Sequence, residues 1–264
     1  MATHLTGEER MRTANMKRYS RHIVLKKIGS AGQKKLLAAR VLIVGVGGLG
    51  SPAALYLVAA GVGCIGIVDD DEVDISNLQR QVLYEPDDIG RRKATTAAKR
   101  LERFNPDVKV EAHETLLTPD NAIGIIERYD FVIDGTDNLA SKFLINDACV
   151  AAGKPFVHAG IGEYYGQMLT CVPRESPCCR CVFGYSDDYG AKKRIGVIGA
   201  VCGVTGSLEA MEAIKYITGA GDLLTGRILS YDALTCEFRT MQLAPRDGTC
   251  PVCGDNPHTR ADIQ

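Results

Sequence analysis

The chain has 264 residues, 45% of them hydrophobic, and its 31 Lys and Arg nearly match its 32 Asp and Glu, for a formal net charge of -1. Such a balance excludes a general electrostatic pull toward nucleic acid or an anionic membrane, and the apolar fraction excludes a disordered chain. The length suits one large core or a main domain with an appendage.

Residues 1–15 read as a flexible N-terminal lead, polar and unlike a signal peptide, which points to a cytoplasmic location. Residues 17–38 have helical spacing. Arg40–Val44 is a short apolar strand, followed by the loop Gly45-Val-Gly-Gly-Leu-Gly50, a helix over Ser51–Ala60 and a second strand, Cys64–Val68. This is the start of a βαβ unit in a parallel sheet. Helices follow over 91–104, Asn121–Arg128 and Phe143–Ala152, alternating with strands Val108–Ala112, Phe131–Asp134 and Pro155–Ala159. The pattern then changes. Gly166–Val172 alternates like an antiparallel strand, 174–196 reads as an irregular crossover, Ala200–Ile217 as a helix rich in small residues, and Arg227–Tyr231 with Glu237–Leu243 as paired strands. The expected fold class is α/β: a Rossmann-like, mainly parallel sheet flanked by helices, with antiparallel strands in the C-terminal half. One domain spans 16–254, with a tail over 255–264.

Gly45, Gly47 and Gly50 form G-x-G-x-x-G between a strand and a helix, with Gly48 inside the same turn. The glycines permit a tight turn and close backbone approach to phosphate, and the helix N-terminus favours its negative charge. Asp69, followed by Asp70 and Asp71, ends the second strand, where an acid meets ribose hydroxyls; this suits NAD and adenosine alike. Beyond it, Asn77, Arg80 and Gln81 place amides and a guanidinium near the nucleotide. Arg21 and Arg80 are placed to bracket a triphosphate, with Lys93 to neutralise it. Hydride transfer needs no such cluster, whereas charge moving onto a leaving pyrophosphate does. Asp137 follows a strand at its C-terminal end and is a candidate Mg²⁺ ligand.

Ten cysteines in a chain without export signals read as reduced or metal-bound thiols. Two Cys-x-x-Cys units, Cys178/Cys181 and Cys250/Cys253, suit a tetrahedral structural Zn²⁺ that ties the crossover to the C-terminal segment. Cys179 is an extra thiol inside the first unit.

These motifs resemble one family. Arg18-Tyr-Ser-Arg-His22, the glycine loop, Val68-Asp-Asp-Asp71, Ser76-Asn-Leu-Gln-Arg-Gln81, Gly90-Arg-Arg-Lys93, Asp134-Gly-Thr-Asp-Asn138, the paired cysteines and the helix Gly203–Lys215 together resemble the ThiF/MoeB/HesA family, bacterial relatives of ubiquitin-activating enzymes. The resemblance implies an adenylyltransferase using ATP and Mg²⁺, with a small ubiquitin-like sulfur-carrier protein (ThiS- or MoaD-like) ending in Gly-Gly as partner. The terminal carboxylate attacks the α-phosphate to give an acyl-adenylate and pyrophosphate, for thiamine or molybdopterin biosynthesis. It further implies Asp69 on ribose, Asn77, Arg80 and Lys93 on phosphates, Asp137 on Mg²⁺, and Arg21 reaching across a homodimer. Sulfur would come from a separate donor protein; no DNA or membrane partner is expected. The alternatives are adenylation of another carboxylate or of a tRNA base, and an NAD-dependent oxidoreductase. Many relatives carry a cysteine where this chain has Lys192, so the usual site for a covalent link to the carrier is missing. Cys202 is expected to be buried, and His22, His113 and His158 to serve packing or the surface.

Overall fold

The computed structural model describes residues 17–184 and 196–255. The lead over 1–15, Lys192 with the loop before Gly196, and most of the tail lie outside the described residues.

The backbone alternates as expected for a βαβ chain. Its elements are α1 (Ser20–Ile23), α2 (Gly29–Ala38), β1 (Arg40–Val44), α3 (Gly50–Ala60), β2 (Cys64–Val68), α4 (Lys93–Phe104), β3 (Lys109–His113), α5 (Pro119–Ile126) and β4 (Phe131–Asp134). Then come α6 (Leu139–Ala152), β5 (Phe156–Gly162), β6 (Tyr165–Cys171), α7 (Cys179–Phe183), α8 (Gly199–Thr218), β7 (Arg227–Asp232) and β8 (Glu237–Gln242). All eight strands lie in one sheet, in the order β3-β2-β1-β4-β5-β6-β7-β8. The first five are parallel; β6, β7 and β8 add antiparallel.

Hydropathy explains the layering. β1 and β2 are runs of Val, Ile and Leu because both faces of a parallel sheet are covered. Alternate side chains go to opposite layers: Val41, Ile43, Ile65 and Ile67 pack under α3 and α8, while Leu42, Val44 and Val132 pack under α5 and α6. Helix α3 is apolar nearly all round and is correspondingly buried between the sheet and α8. It stops at Gly61, which holds a left-handed φ of 79°. At the other end of the sheet β8 is exposed along its whole length. Among the described residues no helix is long and apolar enough to cross a membrane.

Four details differ from the sequence reading. The helical stretch 17–38 is broken by turns over 24–28, and Gly29, with a φ of 59°, opens the second helix. Helix α6 begins at Leu139, four residues early, since Asn138 caps it by accepting from the Ser141 N–H at 2.9 Å. β5 runs on to Gly162 because β6 pairs with it through Gly162 and Tyr165. The crossover contains α7, which Arg180 pins to α6 through two bonds to Asp147 (2.9 and 3.2 Å) and by stacking over Phe143.

Candidate nucleotide site and cysteine cluster

β1 continues to β2 on one side of the sheet, while β4 lies on its other side. The crevice of a doubly wound sheet opens at such a reversal, beyond the carboxyl ends of the strands. Here the loops after β1 and β4 meet in direct contact. Gly45 has a φ of 84°, and a Cβ on it would lie 2.9 Å from the Gly135 carbonyl oxygen. A Cβ on Gly50 would strike the Gly45 carbonyl oxygen, so the first and last glycines of the loop are both required by backbone contact.

Asp69 closes the loop from below. Its Oδ2 accepts from the Val46 N–H (2.8 Å) and its Oδ1 from the Asp71 N–H (3.0 Å). Burial pushes this carboxyl upward, and the nearby Lys93 charge opposes the shift. Lys93 opens α4, two residues later than the sequence suggests, and is almost fully buried. Its Nζ lies 2.8 Å from Asp71 Oδ2. Asp71 is therefore the counterion of Lys93, a role its spacing did not disclose.

Arg80 rises from the turn after Ile75–Asn77, its Nη1 donating to the Ser76 carbonyl at 3.0 Å. Its stem lies against Gly48: a Cβ there would be 3.5 Å from Arg80 Cδ and 3.0 Å from Cys202 Sγ. Cys202 is buried, as expected. Asn77 uses its Oδ1 to accept from the Asp74 N–H (3.2 Å), which fixes the turn. Gln81 is buried beside Gly47, and its Oε1 accepts nothing among the described residues. The Gln81 atom nearest the loop is its Nε2, 3.4 Å from where a Cβ on Gly47 would lie, so the amide presents a donor to the phosphate cradle. Asp137 stands exposed on the turn after β4 and, among the described residues, has only a long 3.5 Å contact from Asn138 Nδ2. One open carboxylate beside a phosphate cradle is a donor set that suits Mg²⁺, which completes its shell from phosphates and water.

Arg21 is not part of this group. It sits exposed on α1, two residues after Tyr19, whose ring packs on Gly61 at the far end of α3 from the glycine loop. An eleven-residue helix is about 16 Å long, so within one subunit Arg21 is at the wrong end.

The four paired cysteines converge: each offers a sulfur within 4.8 Å of all the others. Sulfur–sulfur separations include 4.0 Å (Cys178–Cys181), 3.9 Å (Cys178–Cys250) and 3.4 Å (Cys181–Cys253). Zn–S bonds of about 2.3 Å in a tetrahedron place sulfurs roughly 3.8 Å apart, so the donor set fits Zn²⁺. Burial pushes the Cys178 thiol up to about 12 in the absence of a metal ion. Cys179 is not one of the four converging sulfurs; it is buried at the start of α7, with its N–H bonded to Asn146 Oδ1 at 2.7 Å.

Two buried polar groups escaped the sequence reading. Asp134, fully buried at the end of β4, accepts from Lys142 Nζ (3.1 Å) and His158 Nδ1 (2.9 Å). Burial would raise its pKa, but the Lys142 charge and the His158 bond overcome it and hold the carboxyl at about 2. The other is Glu209 in α8, fully buried with neither carboxylate oxygen bonded among the described residues. Burial first, then the Asp134 charge, pushes its pKa well above the ordinary 4.5. The folded chain therefore holds an extra proton, and the stability from this group is full below about 4.5 and is lost as pH rises toward the folded value. Glu209→Met removes both unmet oxygens and that titration. Urea unfolding at pH 5 and pH 8 is expected to show the variant gaining roughly 1–3 kcal/mol over the native chain, chiefly at pH 8.

What the sheet and crevice define is a nucleotide-binding α/β domain carrying a separate four-cysteine cluster. The chain belongs to the ThiF family, whose pattern matches residues 19–252. It is 45% identical over 251 residues to a protein of Thermus thermophilus named sulfur carrier protein adenylyltransferase, covering 92% of each chain. It is 44% identical over 243 residues to the Culex quinquefasciatus adenylyltransferase and sulfurtransferase MOCS3, spanning 91% of this chain but only 56% of that one. Among solved structures, E. coli MccB with succinimide aligns with a TM-score of 0.81 at 24% identity, over 90% of this chain and 74% of that one. At that identity the likeness concerns the fold.

Proposed function

We infer that this chain is an ATP-dependent adenylyltransferase that activates the C-terminal Gly-Gly carboxylate of a ubiquitin-like sulfur-carrier protein. Family membership and the two relatives named above support the reading. The observation that supports it best is that the glycine loop lies against the Gln81 amide, the Arg80 stem and the turn after β4 that carries the open Asp137.

The chemistry asks little of the protein beyond placement. A carboxylate is a nucleophile at neutral pH, so no general base is needed; its oxygen bonds to the α-phosphorus as the bond to pyrophosphate breaks. Gly45, Gly47, Gly48 and Gly50 let the backbone approach the phosphates, and Asp69 accepts from ribose hydroxyls. Asn77, Gln81, Arg80 and Lys93 orient the triphosphate and offset charge gathering on the leaving pyrophosphate. Asp137 would hold Mg²⁺, which supplies further charge neutralisation when bound. Cys178, Cys181, Cys250 and Cys253 would hold a structural Zn²⁺. Residues 16–254 act as one adenylation unit, and Arg21 completes the site of the partner in a homodimer. The carrier's thiocarboxylate sulfur comes from another protein.

The test is ATP–pyrophosphate exchange with purified chain, Mg²⁺ and a panel of Gly-Gly-ended carriers. Exchange that depends on a carrier and is lost when its last glycine is removed is the expected result. Absence of exchange with every carrier sinks the reading.

A further inference from the structure

The Asp137 carboxylate is exposed, yet the turn that carries it is braced from beneath by buried charges. Asp134 Oδ1 accepts from both the N–H (3.1 Å) and the hydroxyl (2.6 Å) of Thr136, the residue just before Asp137. Asp134 Oδ2 accepts from Lys142 and His158. An ionised carboxylate only accepts, so His158 Nδ1 is the protonated nitrogen. Lys142 also donates to the Ala159 carbonyl at 2.5 Å, joining α6 to β5. Asn138 fixes the far side of the turn by capping α6, and Gly135 abuts Gly45 on the glycine loop. Asp134, Lys142 and His158 are 0%, 7% and 6% exposed. A buried set of this kind is weak as a source of stability, since apolar side chains of similar volume do as well or better. Its geometric product is a turn whose backbone is fixed on both sides of Asp137.

We propose that Thr136, Lys142 and His158 are positioning residues which, through Asp134, hold the turn 135–138 so that Asp137 meets the metal of a bound metal–nucleotide. The proposal rests on the adenylation reading. These side chains touch neither nucleotide nor metal. Their contribution is to remove backbone freedom from an exposed carboxylate that has no other firm contact among the described residues, so that metal binding need not order it.

The test uses the full chain with Mn²⁺ as the metal probe. Free Mn²⁺ is followed by electron paramagnetic resonance in the presence of ATP, metal-free ATP binding by calorimetry, and hydrogen exchange across 135–138 in the ligand-free protein. Thr136→Val is expected to weaken Mn²⁺–ATP binding about fivefold or more, to leave metal-free ATP binding within about twofold, and to speed exchange in the turn. Thr136→Ser, which restores the hydroxyl, returns all three toward the native values. Unchanged Mn²⁺–ATP affinity in Thr136→Val overturns the proposal, and so does equal weakening in the Val and Ser variants. Should Thr136→Val not fold, Lys142→Met is judged by the same three readouts. A native chain that binds no Mn²⁺–ATP overturns the adenylation reading and this proposal together; a native chain that binds it beside indifferent variants overturns the proposal alone.

Discussion

Arg80→Ala and Asp137→Ala are each expected to lower carrier-dependent ATP–pyrophosphate exchange by about 10²-fold or more, the scale of removing one preorganised charge from a transition state. Neither change should unfold the chain. Among the described residues, Asp137 is exposed with one long side-chain contact, and the Arg80 side chain makes one hydrogen bond, to a carbonyl in its own turn. The two losses should differ in kind. Without Asp137 the defect should shrink as Mg²⁺ is raised, because a metal held by phosphates and water alone is recruited by mass action. Without Arg80 no metal concentration restores the rate, because the missing charge faced the departing pyrophosphate. Exchange rates measured across an Mg²⁺ series, beside thermal unfolding of each variant, separate these outcomes. Native-like exchange in either variant contradicts the assignment.

The cysteine cluster carries the second large effect. Cys250→Ser is expected to abolish stoichiometric zinc and to lower stability by about 4 kcal/mol, the closure free energy of a cross-linked loop of this length. Cys179→Ser should retain the metal, since its backbone N–H, not its thiol, makes the bond to Asn146. Metal analysis by mass spectrometry with denaturant titration of both variants checks this. Zinc retained by Cys250→Ser, or lost from Cys179→Ser, refutes the four-ligand set.

Much of this was legible in the chain itself, where the signal is local. Gly45 to Gly50 and Asp69 sit within one βα unit, and Arg40–Val44 and Cys64–Val68 emerge as strands with the bounds their apolar runs suggest. Spacing chose Cys178 over Cys179 because a two-residue gap sets the bite of the pair. What stayed hidden needs partners distant in sequence. Lys93 read as a cation for the triphosphate, and only the fold brings Asp71 to it across 22 positions. Asp134 read as the polar end of a strand, although Lys142 and His158 arrive from α6 and β5. Glu209 and Glu212 lie three apart on one face of α8, yet Glu212 finds Thr170, Lys215 and the Leu224 N–H, while Glu209 finds no hydrogen bond. Helical periodicity cannot distinguish them. Arg21 shows the complementary limit: its motif is plain, but the fold sets it at the end of α3 away from the glycine loop.

The layout of the cysteine clamp bears on synthesis. Cys178 and Cys181 precede Cys250 and Cys253 by a segment that contains α8, β7 and β8. At translation rates of about 5–20 residues per second, the second pair leaves the ribosome roughly 4–14 s after the first. During that interval the early pair is a two-thiol half-site, open to oxidation or to a mismatched metal. The nucleotide crevice, by contrast, has all its parts except α8 already translated. The nascent chain thus has most of its phosphate cradle translated before the cysteine cluster can close, so a metal at that cluster would act late in synthesis.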